Sequence, residues 1–499
     1  MKRSLPGIAH SIAASSWLLL LLAFAIFCPP SSARAEIRLP HVFGSHMVLQ
    51  RDKPLIIWGW ATPGETVTVQ LGAASQTAHA NDRGEWKVTL PAMTQGGPYT
   101  LTVSGSSTVK YDDVMIGEVW LCSGQSNMEF GLGRVKNAKE EVAAANHPGI
   151  RLLMVENRWT PLPQDDMEGT WKVCTPQTVA EGGWNGFSAA GYFFGREIHT
   201  NLNVPVGLIE SSWGGTRIEP WTPKQGFESV HSLARLATPV AKSTPIHSTT
   251  PMGIYNAMIA PMAGFAIRGA LWYQGESNCA GTGDDNAYLT YPDKMAALIG
   301  GWRMNWGEGN FPFYFVQIAP YRYFGRDKNV PSAERLPEFW AVQSRAEHTI
   351  KNTGMVATTD LVDDLDDIHP RNKQDVGHRL ALLARHQTYG EKNVVASGPV
   401  FKQMKIEGNK AFLTFDHVDG GLMSRDGQPL TWFGIAGHDG RFVDGDAKIV
   451  GDTLEVSSDD IDKPEAVRFA WRETAQPNFC NKAGLPAEPF TTEDPSQWH

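Results

Sequence analysis

Glu118-Val-Trp-Leu-Cys-Ser-Gly-Gln-Ser-Asn-Met128 is the stretch on which the reading of this 499-residue chain turns. Its first half, Glu118–Ser123, reads as a short strand, and its second half is a Gly-containing turn that carries Ser126. Five more candidate strands follow at Arg151–Val155, Val206–Glu210, Ile267–Tyr273, Phe313–Ile318 and Met355–Thr359. Helical sequence separates them. Phe187, Gly191, Phe194 and Ile198 recur at helical spacing within Gly186–Asn201. Val376, Leu380 and Leu383 do so within Asp375–Tyr389, which ends at Gly390, a natural C-cap. Strands alternating with helices over residues 111–392 predict an α/β domain whose parallel sheet is covered by helices on both faces.

Outside that region the rhythm is β-rich. Residues 36–110 carry Leu55–Trp60, Thr66–Leu71, Glu85–Leu90 and Tyr99–Val103, punctuated by Pro63-Gly64, Asn81–Gly84 and Gly96–Pro98. This pattern predicts a small β-sandwich-like module. Residues 393–499 return to strands at Lys410–Phe415, Thr453–Ser457 and Ala466–Trp471, and Pro486–His499 reads as a tail.

The first 35 residues read as a signal peptide, with Lys2 and Arg3 ahead of the apolar run Trp17–Phe27 and Ala33-Arg34-Ala35 at the cleavage site. The 11-residue run is too short to span a bilayer, which takes about 20 residues. A lipoprotein anchor at Cys28 fits poorly behind the bulky Phe27. Cleavage removes three positive charges and no negative ones, taking the net charge from -9 to -12. The expectation is a secreted or periplasmic protein, free of the membrane after cleavage and without the positive field that draws nucleic acid. Cys122, Cys174, Cys279 and Cys480 match no zinc spacing and leave one bridge or free buried thiols open. The 17 Trp suit sugar stacking and a large β-rich core alike.

Four segments carry chemistry, each just after a candidate strand. Leu121–Met128 offers Ser126 in a turn that is not a Gly-x-Ser-x-Gly elbow, since Met128 stands at the second Gly position. Ser211-Ser-Trp-Gly-Gly-Thr-Arg217 brings paired glycines whose N–H groups can approach a ligand closely. Leu271-Trp-Tyr-Gln-Gly-Glu-Ser-Asn278 places the amides of Gln274 and Asn278 around Gly275. Asp363-Asp-Leu-Asp-Asp-Ile-His-Pro370 sets Asp366 three residues before His369, a spacing that can bring a carboxylate to Nδ1 and leave Nε2 facing elsewhere. Each alone is a turn, a buried amide or a solvated acidic loop. In a parallel sheet, however, every loop after a strand emerges on one carboxyl edge, so topology gathers a nucleophile, backbone and amide donors, and a base with its acid. These are the parts of acyl transfer. No His-Glu-x-x-His or Cys-x-x-Cys motif supports a metal site, and no cofactor is expected.

Gly124-Gln-Ser-Asn-Met128, Trp213-Gly-Gly-Thr216, Gln274-Gly-Glu-Ser-Asn278 and Asp366-Asp-Ile-His-Pro370 resemble, in order, the blocks of SGNH-type hydrolases, and most of all the sialate O-acetylesterase family and its relatives acting on plant polysaccharides. The resemblance implies a flavodoxin-like sheet and a carbohydrate O-acetylesterase. It also implies Ser126 as nucleophile, His369 as base, Asp366 as its carboxylate, and the N–H groups of Ser126 and Gly215 in the oxyanion hole. Gln274 or Asn278 completes that hole, with Gln274 favoured. Asp363, Asp364 and Asp367 are alternatives to Asp366 within one turn. Arg217, Glu219 and Trp221, after the glycine turn, are candidates to line the sugar side of the cleft. The substrate would be acetylated sialic acid or an acetylated hemicellulose. The competing readings are an inactive carbohydrate-binding protein and an SGNH lipase or thioesterase for longer acyl chains.

Overall fold

A computed structural model describes residues 36–238, 247–281 and 287–494; the expected signal peptide at 1–35 lies outside them. No helix among the described residues is long and apolar enough to cross a membrane. The N-terminal module contains β1 (Val48–Gln50), β2 (Leu55–Trp60), β3 (Thr66–Leu71), β4 (Ala74–His79), β5 (Glu85–Leu90) and β6 (Gly96–Ser104). β2 pairs with β5, while β3 pairs with β4 and β6, all antiparallel. The period-2 pattern drives one face inward, so that Ile57, Val67, Val69, Val88 and Leu90 are buried. β4, absent from the sequence reading, is a largely exposed strand without apolar alternation.

β7 (Thr108–Gly124) is 17 residues long, and the domain boundary expected at residue 110 falls inside it. Its first half pairs antiparallel with β6, and its second half lies at the centre of the main sheet. No turn interrupts it, and at Gly117 the missing side chain lets the backbone of Pro205 close in: a Cβ there would lie 2.0 Å from the Pro205 oxygen.

The main sheet adds β8 (His147–Met154), β9 (Trp171–Cys174), β10 (Val206–Ser212), β11 (Gly269–Tyr273), β12 (Phe313–Val316) and β13 (Thr353–Val356). The order is β13-β12-β11-β7-β10-β8-β9, parallel throughout except for the edge strand β9. The helices are α1 (Ser126–Glu129), α2 (Ala138–Ala144), α3 (Ala189–Leu202), α4 (Lys224–Ser229), α5 (Glu276–Ala280), α6 (Tyr291–Trp306), α7 (Arg335–Thr349) and α8 (Lys373–Leu383).

Alternation along the strands feeds two cores. Trp120, Cys122, Leu208, Leu271 and Tyr314 face α3 and α8 through Phe194, Ile198, Leu380 and Leu383. Val119, Leu121, Ile209, Trp272 and Phe315 face α6 and α7 through Leu298, Trp302, Phe339 and Trp340, and this core runs without a break into the N-terminal module. Helices therefore cover both faces of a mostly parallel sheet, as the spacing predicts. β10 and β11 flank β7 on opposite sides, which places the crevice of the fold at the carboxyl end of β7.

The C-terminal region packs antiparallel strands, among them Val400–Glu407, Lys410–Asp416, Thr453–Ser457 and Ala466–Phe469, around its own core. Arg425 reaches out of it to Asp360, which also pairs with Arg379 at 2.6 Å. The tail expected from Pro486 is instead part of the fold up to the last described residue. Ala487 and Phe490 are buried, Phe490–Thr491 pairs with Ala466–Phe469, and Phe490 stacks on Phe401 at 4.7 Å. Aromatic contact holds this segment where its Pro and Glu content suggested solvent. Cys122, Cys174, Cys279 and Cys480 are free and buried.

Candidate active site

Ser126 stands where β7 gives way to α1. Gly124 has φ +141°, and its bare Cα lets the Tyr273 carbonyl approach so closely that a Cβ would lie 2.2 Å from its oxygen. Gln125 is extended, and its buried Oε1 accepts from Gln274 Nε2 (3.1 Å), Gly275 N (3.4 Å) and Ser277 N (3.3 Å). The serine turn is thus tied to the loop after β11. Ser126 then opens α1, where its N–H has no partner among the described residues.

The loop after β13 brings His369 to the serine, with Nε2 2.9 Å from Ser126 Oγ. The imidazole lies edge-on to Trp184 (centroids 4.7 Å, 77°) and stacks near Phe130 (6.3 Å, 28°). Burial holds the imidazole pKa down at about 4; Lys373 and, less strongly, Arg134 add to this, while Asp367 opposes it. The ring is therefore a neutral base over the ordinary pH range.

The carboxylate beside Nδ1 is Asp367, at 3.4 Å, and its Oδ1 also accepts the His369 backbone N–H at 2.9 Å. This corrects Asp366, which turns away to pair with Arg322 (2.6 Å) and Arg326 (2.8 Å). Two guanidiniums outcompete one imidazole for that carboxylate. Asp363 pairs with Lys136 at 2.7 Å, and Asp364 accepts from Asp366 N at 2.8 Å. Because Asp367 is half exposed and its contact with Nδ1 is long, Asp367→Asn is expected to lower kcat by no more than about tenfold. Asp366→Asn should leave kcat within about twofold, as steady-state hydrolysis of p-nitrophenyl acetate will read.

Of the oxyanion candidates, Gly215 is exposed with φ +72°, and its N–H, like that of Ser126, has no partner among the described residues. The neighbouring Gly214 N–H is taken by Glu129 Oε2 at 2.6 Å. Gln274 and Asn278 do not offer free amides. Gln274 Nε2 donates to Gln125 Oε1, Thr216 O and Asn278 Oδ1, and Asn278 Nδ2 points at Glu219. Both are buried cross-links between the loops that carry the site, because a fully enclosed amide takes whatever partners surround it.

The expected sugar-side residues are also placed elsewhere. Trp221 is fully buried, with its N–H on Thr216 Oγ1 (3.0 Å) and its ring edge-on to Trp272. Glu219 pairs with Lys294 at 2.9 Å, and Arg217 donates to Gly281 O at 2.8 Å. Glu219–Trp221 forms a short 3-10 helix with Pro220 and Trp221 buried, and none of the three candidates lines the cleft.

The walls of the cleft, about 810 Å3 around Ser126 and His369, come from Glu129, Trp184, Ser277, Tyr321, Arg326 and Lys328. Trp184 and its neighbour Asn185 have positive φ (46° and 75°), a conformation a bulky side chain rarely adopts, so the chain stores strain where it presses an indole on the imidazole. A second cavity of about 670 Å3 shares Glu129 and is lined further by Glu156, Glu168 and Glu210. Burial pushes Glu210 up to about 8. Apart from Ser277, in the Gln274–Asn278 block, none of these wall residues sits in a motif; the Gly182-Gly183-Trp184-Asn185-Gly186 run was the one further visible signal.

Comparison with known proteins gives the family. A family model described as carbohydrate esterase, sialic acid-specific acetylesterase matches residues 116–385. The chain is similar to the sialate O-acetylesterase of Homo sapiens, 33% identical over 422 residues, which cover 77% of each chain. The likeness to that of Mus musculus is 31% over 441 residues, covering 77% of this chain and 80% of the relative. Among solved structures it is similar to a carbohydrate acetylesterase from Xanthomonas citri, 37% identical with a TM-score of 0.82, covering 92% of this chain and 100% of that one.

Proposed function

Because the chain belongs to the family of carbohydrate esterases described as sialic acid-specific acetylesterases, and so is an ester hydrolase, we propose that Ser126 and His369 carry its reaction on acetylated sugars. His369 Nε2 takes the Ser126 proton as Oγ attacks the acetyl carbonyl. The N–H groups of Ser126 and Gly215 receive the oxyanion. The tetrahedral intermediate collapses by expelling the sugar oxygen, which takes the proton from Nε2. Water, deprotonated by the same nitrogen, then attacks the acetyl-serine and releases acetate. Asp367 steadies the imidazolium that forms in between. The observation that carries this reading is the 2.9 Å contact of Ser126 Oγ with His369 Nε2 on the floor of an open cleft.

The sugar would lie between Trp184 and Tyr321, whose faces suit the C–H side of a pyranose. Secretion through a cleaved leader is part of the same proposal, since acetylated glycans of this kind lie outside the cell. The test is acetate release from acetylated sialoglycans, xylan and xyloglucan, together with acetyl and octanoyl p-nitrophenyl esters. We expect release from at least one glycan and an acetyl rate at least tenfold above the octanoyl rate. A preference for octanoate would transfer the site to lipid or thioester substrates, and no hydrolysis at all would leave a carbohydrate-binding protein.

A further inference from the structure

Behind the serine and the histidine lies a charged chain that the reaction as written does not use. Lys373, fully buried at the start of α8, donates from Nζ to Asn127 Oδ1 at 2.6 Å. Asn127 Nδ2 donates to Glu276 Oε1 at 2.5 Å and to the Ile368 carbonyl at 3.1 Å. Asn127 follows Ser126 in the chain, and Ile368 precedes His369. One buried amide therefore joins the nucleophile turn to the histidine loop, held by a cation at one end and a carboxylate at the other. An ammonium only donates and a carboxylate only accepts, so the two charges fix which way the amide points.

A purely structural role explains this poorly. Glu276 Oε2 is buried with no hydrogen-bond partner among the described residues, and Lys373, beyond its bond to Asn127, has the faces of Phe130 (4.9 Å) and Tyr273 (5.1 Å) and the Coulombic pull of Glu276 and Asp367 against its burial. Buried ion pairs are frequently no more stable than apolar residues of the same volume. An arrangement so unfavourable, set directly behind a reactive pair, points to use in the reaction.

We propose that Lys373 and Glu276 are positioning residues for the hydrolysis, holding Ser126 and His369 in register through Asn127. The proposal rests on the reading of Ser126 and His369 as nucleophile and base. It has an electrostatic consequence, because Lys373 also disfavours the imidazolium. Burial in turn lowers Lys373 to about 7 and raises Glu276, each against the pull of the other's charge. The remaining groups that face His369 are Asp367 on its own loop, Arg134 beyond α1, Glu129 on α1, and Arg326, Asp327 and Lys328 across the cleft.

Removing the Lys373 charge should displace the acid limb of kcat/KM, whereas removing Glu276 should be read in kcat. Lys373→Met takes away a positive neighbour and should move the limb up by about one pH unit. Glu276→Gln keeps an acceptor for Asn127, and because burial raises Glu276 toward its neutral form the limb should stay in place while kcat falls at least threefold. The double variant Lys373→Met/Glu276→Leu should melt within a few degrees of the wild type while kcat on p-nitrophenyl acetate falls at least tenfold and KM stays within twofold. Profiles would be recorded from pH 3.5 to 9, with far-UV circular dichroism at each pH. A folded double variant with kcat within twofold of wild type overturns the proposal; if the double variant does not fold, Glu276→Gln decides by whether its kcat falls at least threefold. Ser126→Ala run alongside separates the two claims: if it is active, the dyad reading fails; if it is inactive while these variants match wild type, only the positioning role fails.

Discussion

Ser126→Ala is expected to lower kcat/KM for p-nitrophenyl acetate by a factor on the order of 10^4 or more, with the far-UV spectrum and melting temperature unchanged. The hydroxyl makes one described side-chain contact, with His369, so its loss removes a reactive atom and little packing. Both free N–H groups persist in the variant, and they account for the small residual rate over water. The result that would defeat the assignment is a folded variant with more than a tenth of wild-type activity. Mass spectrometry offers an independent view: rapid quenching of the wild type with an activated acetyl ester should add 42 Da, about the mass of one acetyl group, at Ser126 and nowhere in the variant.

His369→Ala should cost a factor of about 10^3 or more by the same assay, since the serine hydroxyl then has no hydrogen-bond partner among the described residues to take its proton. The pH dependence of the wild type gives this prediction a second edge. An unperturbed imidazole would lose activity below about pH 6.5. Here burial, reinforced by the Lys373 ammonium, puts the titration at about 4. The active form is the neutral ring, so kcat/KM should stay level on descending from pH 8 to about 5 and fall by half near pH 4. A limb near 6.5 in folded enzyme would mean that the ring is far better solvated in solution than its seat against Trp184 and Phe130 implies. A rate that climbs toward acid would remove His369 as base altogether.

The six strands of the main parallel sheet were legible because buried strands read as unbroken apolar runs, and the positions of Ser126 and His369 followed from sheet topology. What escaped the reading was partner choice. Five aspartates share one loop, and the arginines that claim Asp366 come from a segment forty or more residues away. Gln274 and Asn278 carry the right donors, but whether an amide faces a cleft or another amide depends on three loops at once. Trp221 follows the glycine pair closely, yet its ring is fully buried with its N–H on Thr216. Trp184 and Lys373 belong to no block with a chemical signature; one is revealed by strained backbone, the other by a fully buried ammonium.

The strand that runs from Thr108 to Gly124 bears on how this esterase can be taken apart. Its far end places the nucleophile, and its near end is stitched to β6 and sits over the side chains of the first seventy described residues. Excising a minimal catalyst at residue 111 would sever that strand and strip β1 and β6 from its near end, so the leading module acts as scaffold for the chemistry rather than as an appendage. Melting of both parts should then register as one calorimetric event, and any shortened version built for crystallisation or industry would need to keep its beginning.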